Sequence, residues 1–374
     1  MKYYIIAGEA SGDLHGSNLI REMKKNDPAA DIRCWGGDKM EAAGAKLVKH
    51  YRDLAFMGFT EVIKNLPTIL KNLRFCKEDI LAFKPDAIIL VDYPGFNLRI
   101  AKWAKEKGFR IIYYISPQVW AWKENRVNTI RQCVDKMLVI LPFEKDFYKK
   151  WNYEVDYVGH PLVEVINRFL EENKSTSLSP GAKTIALLPG SRKQEILKKL
   201  PIMLEVSRHF PDFQFVVAKA PGIEESFYNE LLAPYKNVSA VVNQTYALLS
   251  VSSAALVTSG TATLETALFA VPEIICYKGN PVSYEIAKRL IKIKFIGLVN
   301  LIMNKEVVKE LIQHELTVSN LVNELRLLLE NKEKQEQVRQ DYRELTSLLS
   351  KGGHASANAA GIIHQFLLQG KINA

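Results

Sequence analysis

The chain has 374 residues, 48% of them hydrophobic and 24% charged, a balance that supports two domains with their own cores and excludes a disordered chain. Fifty Lys and Arg against 41 Asp and Glu leave a formal charge of +9, which favours an anionic partner; without a dense basic tract or an RNA-binding aromatic signature, nucleic acid ranks behind anionic lipid and phosphorylated substrates. No apolar run approaches the ~18 residues of a membrane span, the 4 cysteines lack CxxC spacing and read as free thiols of a reducing cytosol, and the 7 histidines form no HxH or HxxxH pair, so no metal is expected.

The first predicted strand covers residues 3–7. Its apolar segment is too short for a signal peptide and leads directly into the fold. It ends in Gly8-Glu9-Ala10-Ser11-Gly12-Asp13, read as a loop before a helix over 14–25. Gly8, Gly12 and Gly16 do not make GxGxxG, and the next strand, 32–35, ends Trp35-Gly36-Gly37 with no acid to hold a ribose, which argues against NAD. Glu9 and Asp13 would repel a diphosphate; with Ser11 they suit a ligand rich in hydroxyls, such as a sugar, unless Ser11 or Asp13 simply caps the helix. Further on, Phe59, Val62, Ile63, Leu66, Ile69, Leu70 and Leu73 recur at helical spacing beside Lys64, Lys71, Arg74 and Lys77. That stripe is either core or an apolar face ringed by cations, as an anionic membrane surface requires.

The strand over 87–91 runs into Asp92-Tyr93-Pro94-Gly95-Phe96-Asn97 and a helix over 95–107. A carboxylate at a strand's C-terminal end is placed to act as a general base, and Pro94 in the first turn equally allows Asp92 to be an N-cap. Strand 110–115 leads to Ser116-Pro117-Gln118-Val119-Trp120-Ala121-Trp122, and strand 136–140 to Leu141-Pro142-Phe143-Glu144. If that segment is extended, Trp120 and Trp122 point the same way, either as a hydrophobic wall for acyl chains with Met57 and Phe59 or into the core. After a last strand over 155–158, the polar stretch 171–181 reads as a linker.

Strand–helix alternation then resumes, with strands over 184–188, 214–218, 238–242, 254–258 and 273–277. Leu188-Pro189-Gly190-Ser191-Arg192 reads as strand, turn and helix start. Gly190 allows close backbone approach, the helix N-terminus favours an anion, and Arg192 can fork onto phosphate oxygens. Glu195 reads as a first-turn acid that complements the helix dipole. Ser259-Gly260-Thr261-Ala262-Thr263-Leu264-Glu265 follows another buried strand; with Thr261 as N-cap, Glu265 falls one position too late for a capping box. Downstream lies Leu298-Val299-Asn300-Leu301, and after Asn304 the chain reads helical almost to its end. There is no DxD triplet, so the leaving group is expected to be held without metal or other cofactor.

Alternating strands and helices imply parallel sheets. The expected fold is α/β: two Rossmann-like domains facing a cleft, one over 1–170 and one over 171–353, with 354–374 free to cross back to the first domain or to a partner in a homodimer.

The five motifs at residues 8–13, 116–122, 141–144, 188–192 and 259–265, in this order over nearly the whole chain, resemble the lipid-A-disaccharide synthase family. The resemblance implies a GT-B fold and an inverting glycosyltransferase. It would join UDP-2,3-diacylglucosamine to 2,3-diacylglucosamine 1-phosphate on the cytoplasmic face of an inner membrane. It implies Asp92 as base, with Glu9, Ser11 and Asp13 orienting the sugars. Gly190, Ser191, Arg192, Gly260, Thr261 and Thr263 would hold the diphosphate, and Glu265 the ribose. Asn300 is carried over although Val299 stands where the family often has proline, and Met57, Phe59, Trp120 and Trp122 would line the acyl site. Two rivals remain: a UDP-sugar 2-epimerase of the same architecture, and a nucleotide-dependent lipid-binding protein without turnover.

Overall fold

The computed structural model describes residues 1–54, 66–121, 124–173, 183–220, 222–258, 260–280, 284–285 and 294–372, with backbone alone at 54, 66 and 370–372. Two compact units divide the chain: Met1–Pro161 with Ser350–Ala374, and Leu162–Leu349.

Among the described residues the first unit is built on seven strands: β1 (Lys2–Ala7), β2 (Asp31–Gly36), β3 (Lys46–His50), β4 (Ala87–Val91), β5 (Ile111–Tyr114), β6 (Lys136–Val139) and β7 (Asp156–Tyr157). They lie in the order β3-β2-β1-β4-β5-β6-β7, each neighbouring pair parallel. Parallel strands covered on both faces need apolar side chains at successive positions, and every residue of β4 and β5 is fully buried. Helix Ala10–Asn26 lays Leu19, Ile20 and Met23 on one face, joined there by Ala359, Ala360, Ile363 and Leu367 of the terminal helix Ala355–Ile372. Burial of each large aliphatic side chain contributes roughly 1.5–3 kcal/mol. Asn358 Nδ2, donating to the Val158 carbonyl at 3.1 Å, fixes the start of that helix to the end of β7. Helix Leu66–Phe83 covers the other face with Leu73, Cys76, Ile80 and Phe83.

The second unit repeats the plan with β8 (Thr184–Leu188), β9 (Gln214–Lys219), β10 (Val238–Val242), β11 (Ser252–Thr258), β12 (Glu273–Tyr277) and β13 (Lys309–Ile312). The order is β10-β9-β8-β11-β12-β13, again wholly parallel. In each sheet the strand order reverses once, between β1 and β4 (Ala7 opposite Val91) and between β8 and β11 (Leu188 opposite Val257). Open parallel sheets bind ligands at such reversals, beyond the carboxyl ends of the strands.

Two expectations are corrected. The motif at 8–13 is not a loop: the helix begins at Ala10, so Ser11, Gly12 and Asp13 form its first turn behind an extended Glu9. The region after Asn304 is not all helical, because β13 pairs with β12. Like the missed β3, β13 is a short edge strand in which charged and apolar residues mix, so neither shows the apolar run that marks the central strands. The stripe divides: Leu73 is buried and Ile69 packs on the core, whereas Leu70 is 57% exposed. Its members Phe59, Val62 and Ile63 lie outside the described residues, and the side chain of Leu66 is not described. All 4 cysteines are buried and unpaired. No helix among the described residues is long and apolar enough to cross a membrane.

Candidate active site

At the reversal of the first sheet, β4 leaves the core through two residues in left-handed backbone, Asp92 (φ 44°) and Tyr93 (φ 49°). Such geometry costs of order 1–3 kcal/mol per non-glycine residue and persists only when its surroundings enforce it. The enforcement is visible. Asn97 Nδ2 donates to the Asp92 carbonyl at 2.7 Å, and the Tyr113 hydroxyl donates to the same oxygen at 2.6 Å. Both donors are fully buried. Tyr93 lays its ring over Gly8, where a Cβ would sit 2.3 Å from the ring, so only glycine fits there. Tyr93, not Asp92, is the N-cap of helix Pro94–Glu106, and the cap position makes no side-chain hydrogen bond. The capping role open to Asp92 on sequence is therefore not the one it has.

The Asp92 carboxyl is pushed up to about 7, by burial first and by the charge of Glu9 second, with the Tyr93 N–H pulling it back. A carboxylate that takes up a proton near neutrality is matched to general-base work at that pH. Glu9 is half-buried beside it, and Ser11 is exposed on the first turn of the same helix. Asp13 faces inward: it is 3% exposed and accepts from the backbone N–H groups of Gly37 (2.8 Å), Lys39 (3.2 Å) and Met40 (3.0 Å). It caps the short helix Asp38–Ala42 and ties the first helix to the exit of β2.

At the ends of β5 and β6, Glu144 of the third motif is buried and accepts from the N–H groups of Leu141 (2.9 Å) and Ile140 (3.2 Å). Burial pushes it up to about 7, against those hydrogen bonds and against Ser116 and Trp120. Trp120 is only 8% exposed and meets Phe143 edge-on at 5.0 Å, so its indole is part of the packing of this edge. Met57, Phe59 and Trp122 lie outside the described residues. His15 and His160, both buried, are pushed down to about 4 and about 3 by loss of solvent, and His160 also feels His15. Sequence reasoning passed over this neutral pair because 145 positions separate its members in the chain.

The second unit collects its candidates at the β8/β11 reversal. Gly190 has φ +116°, the left-handed region that favours glycine, and turns the chain so that helix Lys193–Val206 starts with Ser191 and Arg192 exposed at its N-terminus. Arg192 Nη1 lies 3.1 Å from Glu195 Oε1. Beside it Gly260 (φ +132°) and the exposed Thr261 open helix Thr261–Leu268. The first N–H groups of a helix have no partner within it and suit an anion. Glu265, one turn in, accepts from the Tyr246 hydroxyl at 2.9 Å; burial raises its pKa and that hydroxyl lowers it.

Two of the predicted donor-side residues are engaged inside the fold. Thr263 is buried and donates its hydroxyl to the Gly260 carbonyl at 2.9 Å. Asn300 is buried with its amide fully used: Nδ2 donates to Val308 O (2.8 Å) and Glu310 Oε1 (2.9 Å), while Oδ1 accepts from Val307 N (2.9 Å) and Val308 N (3.1 Å). Glu310 also accepts from the N–H groups of Ile296 and Gly297. Asn300 thus ties helix Leu298–Met303 to the segment that follows it, at Val307 and Val308, and to Glu310. Among the described residues no cluster of His, Cys, Asp or Glu could hold a metal ion.

Two doubly wound parallel-sheet units, each carrying its candidate residues at its own sheet reversal, define the architecture of GT-B glycosyltransferases and related epimerases. The fold resembles the glycotransferase of kitacinnamycin (TM-score 0.64, 15% identity, 98% of this chain and 99% of that one). It also resembles the Neisseria meningitidis UDP-GlcNAc 2-epimerase bound to UDP-GlcNAc (TM-score 0.68, 15% identity, 99% and 100%). The lipid-A-disaccharide synthetase family model matches residues 3–363. Lipid-A-disaccharide synthases of Geobacter sulfurreducens (36% identical, 97% of this chain and 96% of the relative) and Syntrophus aciditrophicus (38%, 95% of each) align along the chain. The chain belongs to the lipid-A-disaccharide synthase family, and it is a glycosyltransferase of lipid A biosynthesis.

Proposed function

We propose that this protein condenses UDP-2,3-diacylglucosamine with 2,3-diacylglucosamine 1-phosphate, giving the β-1′,6-linked disaccharide 1-phosphate and UDP. The observation that carries the reading is Asp92: a carboxyl poised near neutral pH on a strained strand end, with its backbone held by Asn97 and Tyr113. Asp92 removes the proton of the acceptor 6-hydroxyl as that oxygen attacks the donor anomeric carbon, inverting it through an oxocarbenium-like transition state. Glu9 keeps the Asp92 pKa high and, with Ser11, orients the sugars, while Asp13 positions the helix that carries them. Arg192 and the N-terminal N–H groups at Gly190-Ser191 and Gly260-Thr261 stabilise the departing diphosphate. Glu265, oriented by Tyr246, takes the ribose hydroxyls.

The acylated substrates call for an apolar, basic surface. Helix Leu66–Phe83 exposes Leu70, Phe75 and Leu81 beside Lys71, Arg74 and Lys77, a pattern suited to the anionic cytoplasmic face of an inner membrane, where each cation contributes ~1 kcal/mol. The reading is tested by incubating the protein with both acylated substrates in detergent micelles and, separately, with UDP-GlcNAc alone. A disaccharide 1-phosphate from the first mixture and no change in the second is expected. Epimerised UDP-GlcNAc without disaccharide would transfer the site to 2-epimerase chemistry.

A further inference from the structure

The second unit buries a lysine that the reaction described above does not use. Lys199 lies in helix Lys193–Val206 and is 3% exposed. Helical side chains lean towards the N-terminus of their helix, and Lys199 reaches back to donate to Thr258 Oγ1 at the end of β11. Its Nζ stands 3.9 Å from Glu195 Oε2, and the other oxygen of Glu195 holds Arg192. The same groups crowd the glycine turn: a Cβ on Gly190 would meet Glu195 Oε2 at 2.9 Å and Thr258 Cγ2 at 3.5 Å. One ammonium therefore ties together the turn after β8, the guanidinium that follows it and the last residue of β11.

Burying an ammonium is costly unless its charge is well compensated, and an apolar side chain of similar size is often as good or better for stability alone. Compensation here is thin. An ammonium has three N–H donors; among the described residues Lys199 has one neutral hydroxyl in hydrogen-bond range and one carboxylate at 3.9 Å. Burial accordingly lowers its proton affinity, which Glu195 partly restores. An under-compensated charge behind two helix N-termini calls for an anion in front of them.

We propose that Lys199 is the buried positioning cation of a nucleoside-diphosphate subsite: it locks the Gly190–Arg192 turn to the end of β11 and adds positive potential behind the amides that receive the diphosphate. The proposal rests on the reading of this unit as the nucleotide-sugar site. It is tested on the full-length protein by calorimetric titration with UDP and with uridine, in the wild type, Lys199→Gln, Lys199→Met and Lys199→Arg. Gln keeps a donor for Thr258 without the charge and covers the case in which Met disturbs folding. UDP affinity is expected to fall at least about tenfold in Lys199→Gln and Lys199→Met and to recover largely in Lys199→Arg, while uridine changes less than about twofold. Equal weakening of UDP and uridine would reduce Lys199 to a packing residue, and unchanged UDP binding in Lys199→Gln would overturn the proposal alone. A wild type that binds no UDP would overturn it together with the reading on which it rests.

Discussion

Asp92→Asn is expected to lower kcat by ~10²–10⁴, the usual contribution of a positioned general base, with the affinity for UDP unchanged. The substitution is nearly isosteric and leaves the backbone alone, because Asn97 and Tyr113 hold the Asp92 carbonyl and not its side chain. A second consequence separates base from scaffold. The folded-state pKa is raised to about 7 from an ordinary value near 3.8, so the folded protein retains a proton that the unfolded chain has released between those values. The side chain's contribution to stability is therefore complete below about pH 4 and lost as the pH rises through 7. At pH 8 the wild type carries a half-buried carboxylate beside Glu9, and Asn removes that cost. Asp92→Asn should thus melt higher than the wild type at pH 8 and lose the advantage near pH 4, a common pattern where activity requires a destabilising group. A variant equally active, or one melting lower at pH 8, would show that the carboxylate serves the fold.

The second large effect is expected at Arg192. Removing one preorganised group that faces developing charge costs ~10²–10³ in rate, and Arg192→Ala should fall in that range in kcat/KM for the nucleotide sugar. The side chain is about half exposed, and its ion pair with Glu195 is a surface one, worth at most about 1 kcal/mol, so the melting temperature should barely move. Arg192→Lys should recover only part of the loss, since a point charge replaces a planar fork. Steady-state kinetics with varied donor decide the matter: a loss confined to the acceptor KM would remove Arg192 from the leaving group.

Much of this architecture is written locally. The strands that a parallel sheet buries on both faces, such as 87–91 and 184–188, are apolar at every position but the first of the second, and the loops that follow them carry Asp92 and Gly190. Edge strands β3 and β13 face fewer neighbours, tolerate Lys, Glu and His, and so leave no comparable mark. The start of the first helix was hidden for a different reason: Ser11-Gly12-Asp13 has the composition of a turn, and its partners lie outside it, with Gly12 packed on Ala7 and Asp13 bonded to the N–H groups of Gly37, Lys39 and Met40.

The supports of the site were the least legible, because each acts across the chain. The hold of Tyr113 on Asp92 spans 21 positions, that of Asp13 on Gly37 spans 24, and that of Lys199 on Thr258 spans 59. Asn300 shows the converse. Its motif marks a residue that matters, but motif position does not distinguish a ligand contact from an amide spent on Val307, Val308 and Glu310.

The most direct test of the account is the pH dependence of kcat/KM for wild-type disaccharide formation between pH 5 and 9. A base with a pKa of about 7 predicts a limb that rises with unit slope below that value, levels off above it and is absent from the residual activity of Asp92→Asn. A rate independent of pH across 5 to 8, or the same limb in the variant, would contradict the assignment of Asp92 as the group that takes the acceptor's proton.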